Sequence, residues 1–351
     1  MKPSKEHFIF LTGSTGLVGG HLLLHLFKAG KKIRCLIRKT SSFSQLEKIC
    51  AFYDVEFLEL RDKVEWVFGD LLDFSALCTY LEDITEIYHC AAVVSFNPKD
   101  KIQMMKTNIN GTSNLIDAAL ISNVREFCFI SSIASLGKAG NNQPILETTP
   151  RKNDEKTSAY SESKFRSELE VWRGIAEGLN VVIVNPGVIL GLGELDKGSM
   201  LLVKAGMKGM PFFTKATTGY VDVRDVCRAS MMLMEKKEFG ERFILVSENL
   251  HNGKVFGMIA KEFGKQPPKY EVGVFILYLG AFFMRIFSFV VGKKSQLTMD
   301  TVQSARKQEQ YSNEKLIRVL NYTFIPIAQS IHDLCAFIQK ETKKPPRRKT
   351  S

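Results

Sequence analysis

Near the start of the chain, the apolar run Phe8-Ile9-Phe10-Leu11 passes directly into Thr12-Gly13-Ser14-Thr15-Gly16-Leu17-Val18-Gly19. Residues 17–29 then carry apolar side chains at helical spacing and stop at Gly30. A strand that turns through glycines straight into a helix leaves few folds open, because the two must pack side by side as the first unit of an α/β sheet. Each glycine has a task there. Gly13 allows the turn, Gly16 lets backbone N–H groups approach a pyrophosphate with no Cβ in the way, and Gly19 lets the helix close on the strand. The helix start then presents unpaired N–H groups and the positive end of its dipole to an anion. Thr12, Thr15, Leu17 and Val18 complete this candidate dinucleotide loop.

The same alternation continues. Apolar runs predict strands at 8–11, 33–37, 64–68, 87–91, 127–131 and 181–185, with helical patterns at 17–29, 74–81, 110–122 and 158–177. Strand and helix in turn at this pitch predict an α/β fold, a doubly wound parallel sheet of the Rossmann type. After Pro186-Gly187 the pattern weakens. Gly191, Gly193, Gly198, Gly206 and Gly209 predict loops and short helices, 243–246 one more strand, and 247–339 a mostly helical remainder. The expected domains are therefore a nucleotide-binding domain over 1–187 with about 219–247, and a substrate lobe over 188–218 and 248–339. The last stretch, 340–351, reads as an unstructured basic tail.

Charge excludes less than it first suggests. The net charge is +11, but six basic residues against Glu341 between Lys340 and Ser351 supply +5 of it. There is no basic stripe with interleaved aromatics, so no nucleic-acid partner is expected. The seven cysteines are scattered and never spaced C-x-x-C, which fits free thiols in a reducing compartment. His21 and His25 stand four apart on the first helix, yet no acid or thiol pattern accompanies them, so no metal site is expected. Residues 1–7 lack the apolar stretch and cleavage site of a signal peptide, and a cytoplasmic location is expected.

Thr12–Gly19 has the spacing G-x-x-G-x-x-G, and it resembles the T-G-x-x-G-x-x-G signature of the extended short-chain dehydrogenases/reductases. The resemblance extends over roughly 230 residues and is nearest the 3β-hydroxysteroid dehydrogenase and dihydroflavonol-reductase-like branch. It implies an adenine contact at Asp70 and Leu71 in Gly69-Asp70-Leu71. It also implies a small-residue wall at Ala91-Ala92-Val93, an N-x-x-G element at Asn108, and a Pro186-Gly187-Val188 segment beside the nicotinamide. The second strand ends in Ile37-Arg38 with no acid. An acid there favours NAD and a base there favours NADP, so Arg38 points to NADP, with NAD still open.

Tyr160 and Lys164 lie four apart on a predicted helix and so share a face. Hydride transfer at a carbon needs a matching proton transfer at its oxygen. A nearby ammonium is expected to lower a tyrosine's pKa enough for that work. By the family's S-S-x-x-x-x-G pattern ending at Gly137, Ser132 is the third catalytic group. Ser131 is the runner-up, as a backbone or capping contact near the cofactor, and Lys164 also holds the nicotinamide ribose.

Gly219-Tyr220-Val221-Asp222-Val223 resembles the family's y-V-x-D-v block. Nucleotide-sugar enzymes carry an arginine just before it, whereas this chain has Lys215-Ala216-Thr217-Thr218. Residues 272–291 hold one charge, Arg285, among many phenylalanines and leucines. They are read as a cap over the substrate first, as a membrane-surface helix second and as a span third. With the basic tail, they could contact an anionic membrane face. The expected activity is an NADP(H)-preferring oxidoreductase that interconverts a hydrophobic, sterol-like secondary alcohol and its ketone. A nucleotide-sugar epimerase or dehydratase is the alternative, and a homodimer is left open.

Overall fold

The computed structural model describes residues 7–140, 143–152, 157–273 and 308–343. Almost all of 272–291, and 344–351 of the tail, lie outside the described residues. β1 (Phe8–Thr12) turns into α1 (Leu17–Lys28) and returns as β2 (Lys32–Ile37). α2 (Ser44–Phe52) and α3 (Phe57–Lys63) precede β3 (Glu65–Phe68), α4 (Phe74–Tyr80) and β4 (Glu86–His89). α5 (Lys101–Met105), a π-helical turn at Lys106–Asn110 and α6 (Gly111–Ile121) follow one another into β5 (Glu126–Ile130). α7 (Ala159–Ala176) and β6 (Asn180–Pro186) close the alternation.

The remaining elements are β7 (Val188–Leu190), α8 (Met200–Met207), β8 (Phe212–Phe213), β9 (Thr217–Asp222) and α9 (Val223–Glu235). Then come β10 (Glu241–Leu245), β11 (Glu248–His251), α10 (Asn252–Glu262) and β12 (Tyr270–Glu271). After the undescribed stretch, α11 (Glu314–Leu320) and α12 (Ile327–Lys343) end the described chain.

Seven strands form one sheet in the order β10-β6-β5-β4-β1-β2-β3, and every neighbouring pair is parallel. The strand order reverses between β1 and β4, and in such sheets ligands bind outside the carboxyl ends of the strands at this switch point. Strand side chains alternate between faces. Ile9 and Leu11 enter the core under α1 and α9, while Phe10 enters the core under α6 and α7. Both faces are covered, which is why these strands read as continuous apolar runs rather than as an alternation.

The second lobe differs from the sequence expectation. Stretches where no strand is expected form β7 and β9, which join β11 in a three-stranded sheet, and β8 pairs with β12. The cause is a close backbone approach that local sequence does not display: a Cβ on Gly187 would sit 2.4 Å from the Gly219 carbonyl oxygen. α2 and α3 are also unanticipated; both are short, and they bury Leu46, Ile49 and Leu60. The helix α12 continues to Lys343, so the first four residues of the expected tail are helical. All seven cysteines are unpaired and five are buried. Among the described residues no helix is long and apolar enough to cross a membrane.

Leu24 on α1 is fully buried in the core beneath that helix. Leu24→Ala is expected to cost about 2–5 kcal/mol, read as a lower urea midpoint with an unchanged slope.

Candidate active site

The glycine loop does its work by close approach. Gly13 adopts φ +75°, and a Cβ on it would lie 2.7 Å from the Ala91 nitrogen. A Cβ on Gly19 would lie 2.2 Å from the Gly13 carbonyl oxygen, so only glycine lets α1 start this near β1. Gly16 is exposed and caps α1, its N–H donating to the Gly13 oxygen at 2.9 Å. No side chain caps the helix start and no acid occupies its first turn. The N–H groups at this end therefore suit an anion. Thr15, Leu17 and Val18 flank the same opening, half-buried.

Thr12 turns inward instead, into a buried hydrogen-bond chain. Its Oγ1 accepts from the Ala91 N–H at 3.2 Å and lies 2.7 Å from His89 Nδ1. His89 Nε2 lies 3.0 Å from Thr112 Oγ1, and Thr112 donates to the Asn108 carbonyl at 2.6 Å. Because Thr112 spends its proton on a carbonyl, it must accept from Nε2–H, and Nδ1 then accepts from Thr12. Burial, with Lys164 adding to it, pulls the His89 pKa down to about 3, so the ring is neutral at working pH. Asn108, on the π-helical turn, clamps Val93 from both sides. It accepts from the Val93 N–H at 2.7 Å and donates to the Val93 carbonyl at 3.0 Å and to Ser163 Oγ at 3.1 Å. His89 went unnoticed in the sequence; its one signal is a polar residue closing the buried strand β4.

On α7 the ammonium of Lys164 is buried and donates to the Ile130 carbonyl at 2.8 Å. Burial lowers its pKa to about 8, against the opposing pull of Cys90 and Glu168. The Ser132 hydroxyl accepts from the Ala134 N–H at 3.1 Å and lies against the Tyr160 phenol, whose pKa it pulls down. The pKa of Tyr160 departs from expectation: burial raises it, and the Ser132 contact opposes the rise. A Cβ on Gly137 would lie 2.0 Å from the Pro150 oxygen, which accounts for the glycine that ends this turn.

Ser131 is not free to meet a ligand through its side chain. Its hydroxyl donates to Glu168 at 2.6 Å and its N–H to the Val184 carbonyl at 2.8 Å, which leaves only its own carbonyl for a cofactor.

The other expected contacts spread around the same crevice. Ala91, Ala92 and Val93 follow β4, and Pro186, Gly187 and Val188 link β6 to β7. Asp70 is exposed after β3, one carboxylate oxygen accepting from the Leu72 N–H at 2.9 Å, while Leu71 is buried under Gly111. Arg38 is exposed at the end of β2. Ser41 accepts from its N–H at 3.2 Å, and no protein group holds its guanidinium among the described residues. Exposed Phe96 packs edge-on to Tyr160 with ring centroids 5.7 Å apart, and Val94, two residues before it, is exposed as well. His21 belongs elsewhere, its ring nitrogens 2.8 Å from the Tyr53 hydroxyl and 3.1 Å from the Leu192 carbonyl. A cavity of about 370 Å³, lined by Ile9, Glu86, Tyr88 and Met234 among others, lies at the opposite end of the sheet and shares none of these residues.

The model of the NAD dependent epimerase/dehydratase family matches residues 9–246. The chain belongs to this family. It is an NAD(P)-dependent oxidoreductase of the extended short-chain type. It is 28% identical over 267 residues to sterol demethylase protein B of Methylococcus capsulatus, covering 75% of this chain and 76% of that one. It is 24% identical over 360 residues to cinnamoyl-CoA reductase 1 of Petunia hybrida, covering 98% and 96%. The crystal structure of gox2253 superposes with a TM-score of 0.80 at 29% identity, covering 96% of this chain and 99% of that one. The glycine cradle, the uncapped helix start and the small residues after β4 fit the dinucleotide of this family.

Gly19→Ala is expected to push the loop off its helix and weaken NADPH binding at least about tenfold, measured by nicotinamide fluorescence. Unchanged affinity would show that the close approach does not shape the cofactor site.

Proposed function

We propose that this member of the family is an NADP(H)-preferring oxidoreductase that interconverts a hydrophobic secondary alcohol, sterol-like or similar, and its ketone. The observation that carries this is the placement of the Ser132 hydroxyl against the Tyr160 phenol, with Lys164 one helical turn away and exposed Phe96 edge-on to the phenol ring. NADPH, when bound, supplies the hydride. Ser132 holds the ketone oxygen, and Tyr160 delivers the matching proton to it. Lys164 fixes the nicotinamide ribose and keeps positive charge beside the phenol. Ala91, Ala92, Val93 and the Pro186–Val188 segment wall the ring, while Asp70 and Leu71 border the adenine.

Support for an apolar substrate comes from Phe96, which is 42% exposed and edge-on to Tyr160; exposed apolar surface beside a proton donor favours an apolar partner. A relative named for a sterol agrees with it. Support for NADP comes from the exposed, uncommitted guanidinium of Arg38. A nucleotide-sugar reaction is the second reading: the arginine that such enzymes carry before the y-V-x-D-v block is missing, and Lys215, which could replace it, pairs at the surface with Glu271 at 3.1 Å.

Mixing the protein with NADPH or NADH and a panel of hydrophobic ketones, sterol ketones included, should give ketone-dependent loss of NADPH. Tyr160→Phe should lower turnover about 10²–10⁴-fold while cofactor still binds. Tight cofactor binding with no net oxidation across the panel would instead favour the epimerase. Arg38→Ala should weaken NADPH binding about 10–100-fold and leave NADH binding unchanged; equal effects on the two would remove Arg38 as the phosphate contact.

A further inference from the structure

Tyr160, Lys164 and Glu168 stand four residues apart on α7 and form one row along its face. The row grips three consecutive residues at the exit of β5. Lys164 Nζ donates to the Ile130 carbonyl at 2.8 Å, Glu168 Oε2 accepts from Ser131 Oγ at 2.6 Å, and Tyr160 meets the Ser132 hydroxyl. Oε2 also accepts from Ser135 Oγ at 2.7 Å and Asn185 Nδ2 at 2.9 Å, and the same Asn185 amide reaches the Ser132 carbonyl at 3.2 Å. Oε1 accepts from Arg242 on β10 at 2.9 Å. Glu168 is only 2% exposed.

A carboxylate this deeply buried is costly unless its acceptor capacity is filled, and an apolar side chain of similar size would pack at lower cost. Its place in the row suggests what offsets that cost. Resting on the assignment of Lys164 as the cation that holds the cofactor, we propose that Glu168 is the positioning residue of this site. It ties the Ser131–Ser132 segment to the catalytic helix and sets a fixed negative charge one turn from Lys164.

The groups that face Lys164 narrow the source of that charge. Tyr160 and Glu168 come from its own helix, and His89 and Cys90 from the end of β4. His89 is neutral, and burial pushes the Cys90 thiol up to about 12. The carboxylate that accepts from four donors is the anion of the set. Arg242 faces it from β10, and the Arg242 Nε donates to the Glu147 carbonyl at 2.6 Å.

The test is NADPH affinity against pH, followed by nicotinamide fluorescence on the full chain, which needs no substrate. Wild-type affinity should fall as pH rises through about 8, and Lys164→Met should lack that limb. Glu168→Gln keeps the size and one acceptor oxygen but loses the charge, so the limb should move to lower pH by about one unit. Arg242→Gln removes the cation that opposes Glu168, so the limb should move the other way; this variant carries the test if Glu168→Gln does not fold. A purely structural role lowers the melting temperature of both variants and moves neither limb, and that outcome overturns the proposal. A limb that survives in Lys164→Met overturns the assignment of Lys164 itself.

Discussion

The hydrogen-bond chain through neutral His89 is the joint on which the crevice depends. It starts at Thr12, where β1 enters the glycine loop, crosses β4 at His89, and reaches the π-helical turn through Thr112 and Asn108. From there Asn108 holds both the Val93 backbone and Ser163, next to Lys164. Two β-strands, the segment after β4 and α7 are thus placed by one buried polar path. Such a path is costly when half satisfied and rigid when complete. Every donor and acceptor along it has a partner, and a ring whose pKa is near 3 does not break it by taking up a proton.

The π-helical turn shows how local irregularity serves the site. A π-turn widens a helix by one residue and is often found at functional positions. Here it lies between α5 and α6 and carries Asn108, whose side chain spends all three of its contacts on the crevice rather than on its own helix. Glycine plays the complementary part on β1, since Gly13 and Gly19 remove the Cβ atoms that would hold strand, loop and helix apart. Apolar packing brings the layers together; these polar and glycine contacts decide how they meet.

Burial sets the protonation of Tyr160 and Lys164 more strongly than their mutual spacing does. Four residues apart, Tyr160 and Lys164 share a face, as their positions in the chain require. Desolvation then moves both toward their neutral forms, raising Tyr160 and lowering Lys164 to about 8. Ser132 works against that trend at the phenol, and Glu168 works against it at the ammonium. Neither a spacing nor a motif reports desolvation, because it depends on which segments close over the helix.

The chain's local pattern determined the parallel sheet, the glycine loop and the helix that carries Tyr160 and Lys164. In each case the cause is local: apolar periodicity, a strand–glycine–helix junction, and side chains one turn apart. Tertiary structure decided what depends on partners distant in sequence. It commits the hydroxyl of Ser131 to Glu168, thirty-seven residues away, and leaves that of Ser132 to face Tyr160. It also brings Gly187 against Gly219, so that stretches without a clear strand pattern form a sheet, and gives His89 and Glu168 their roles. Hydrogen bonds between distant residues leave no periodic trace, and the cost of burying a polar group exists only once the chain has folded around it.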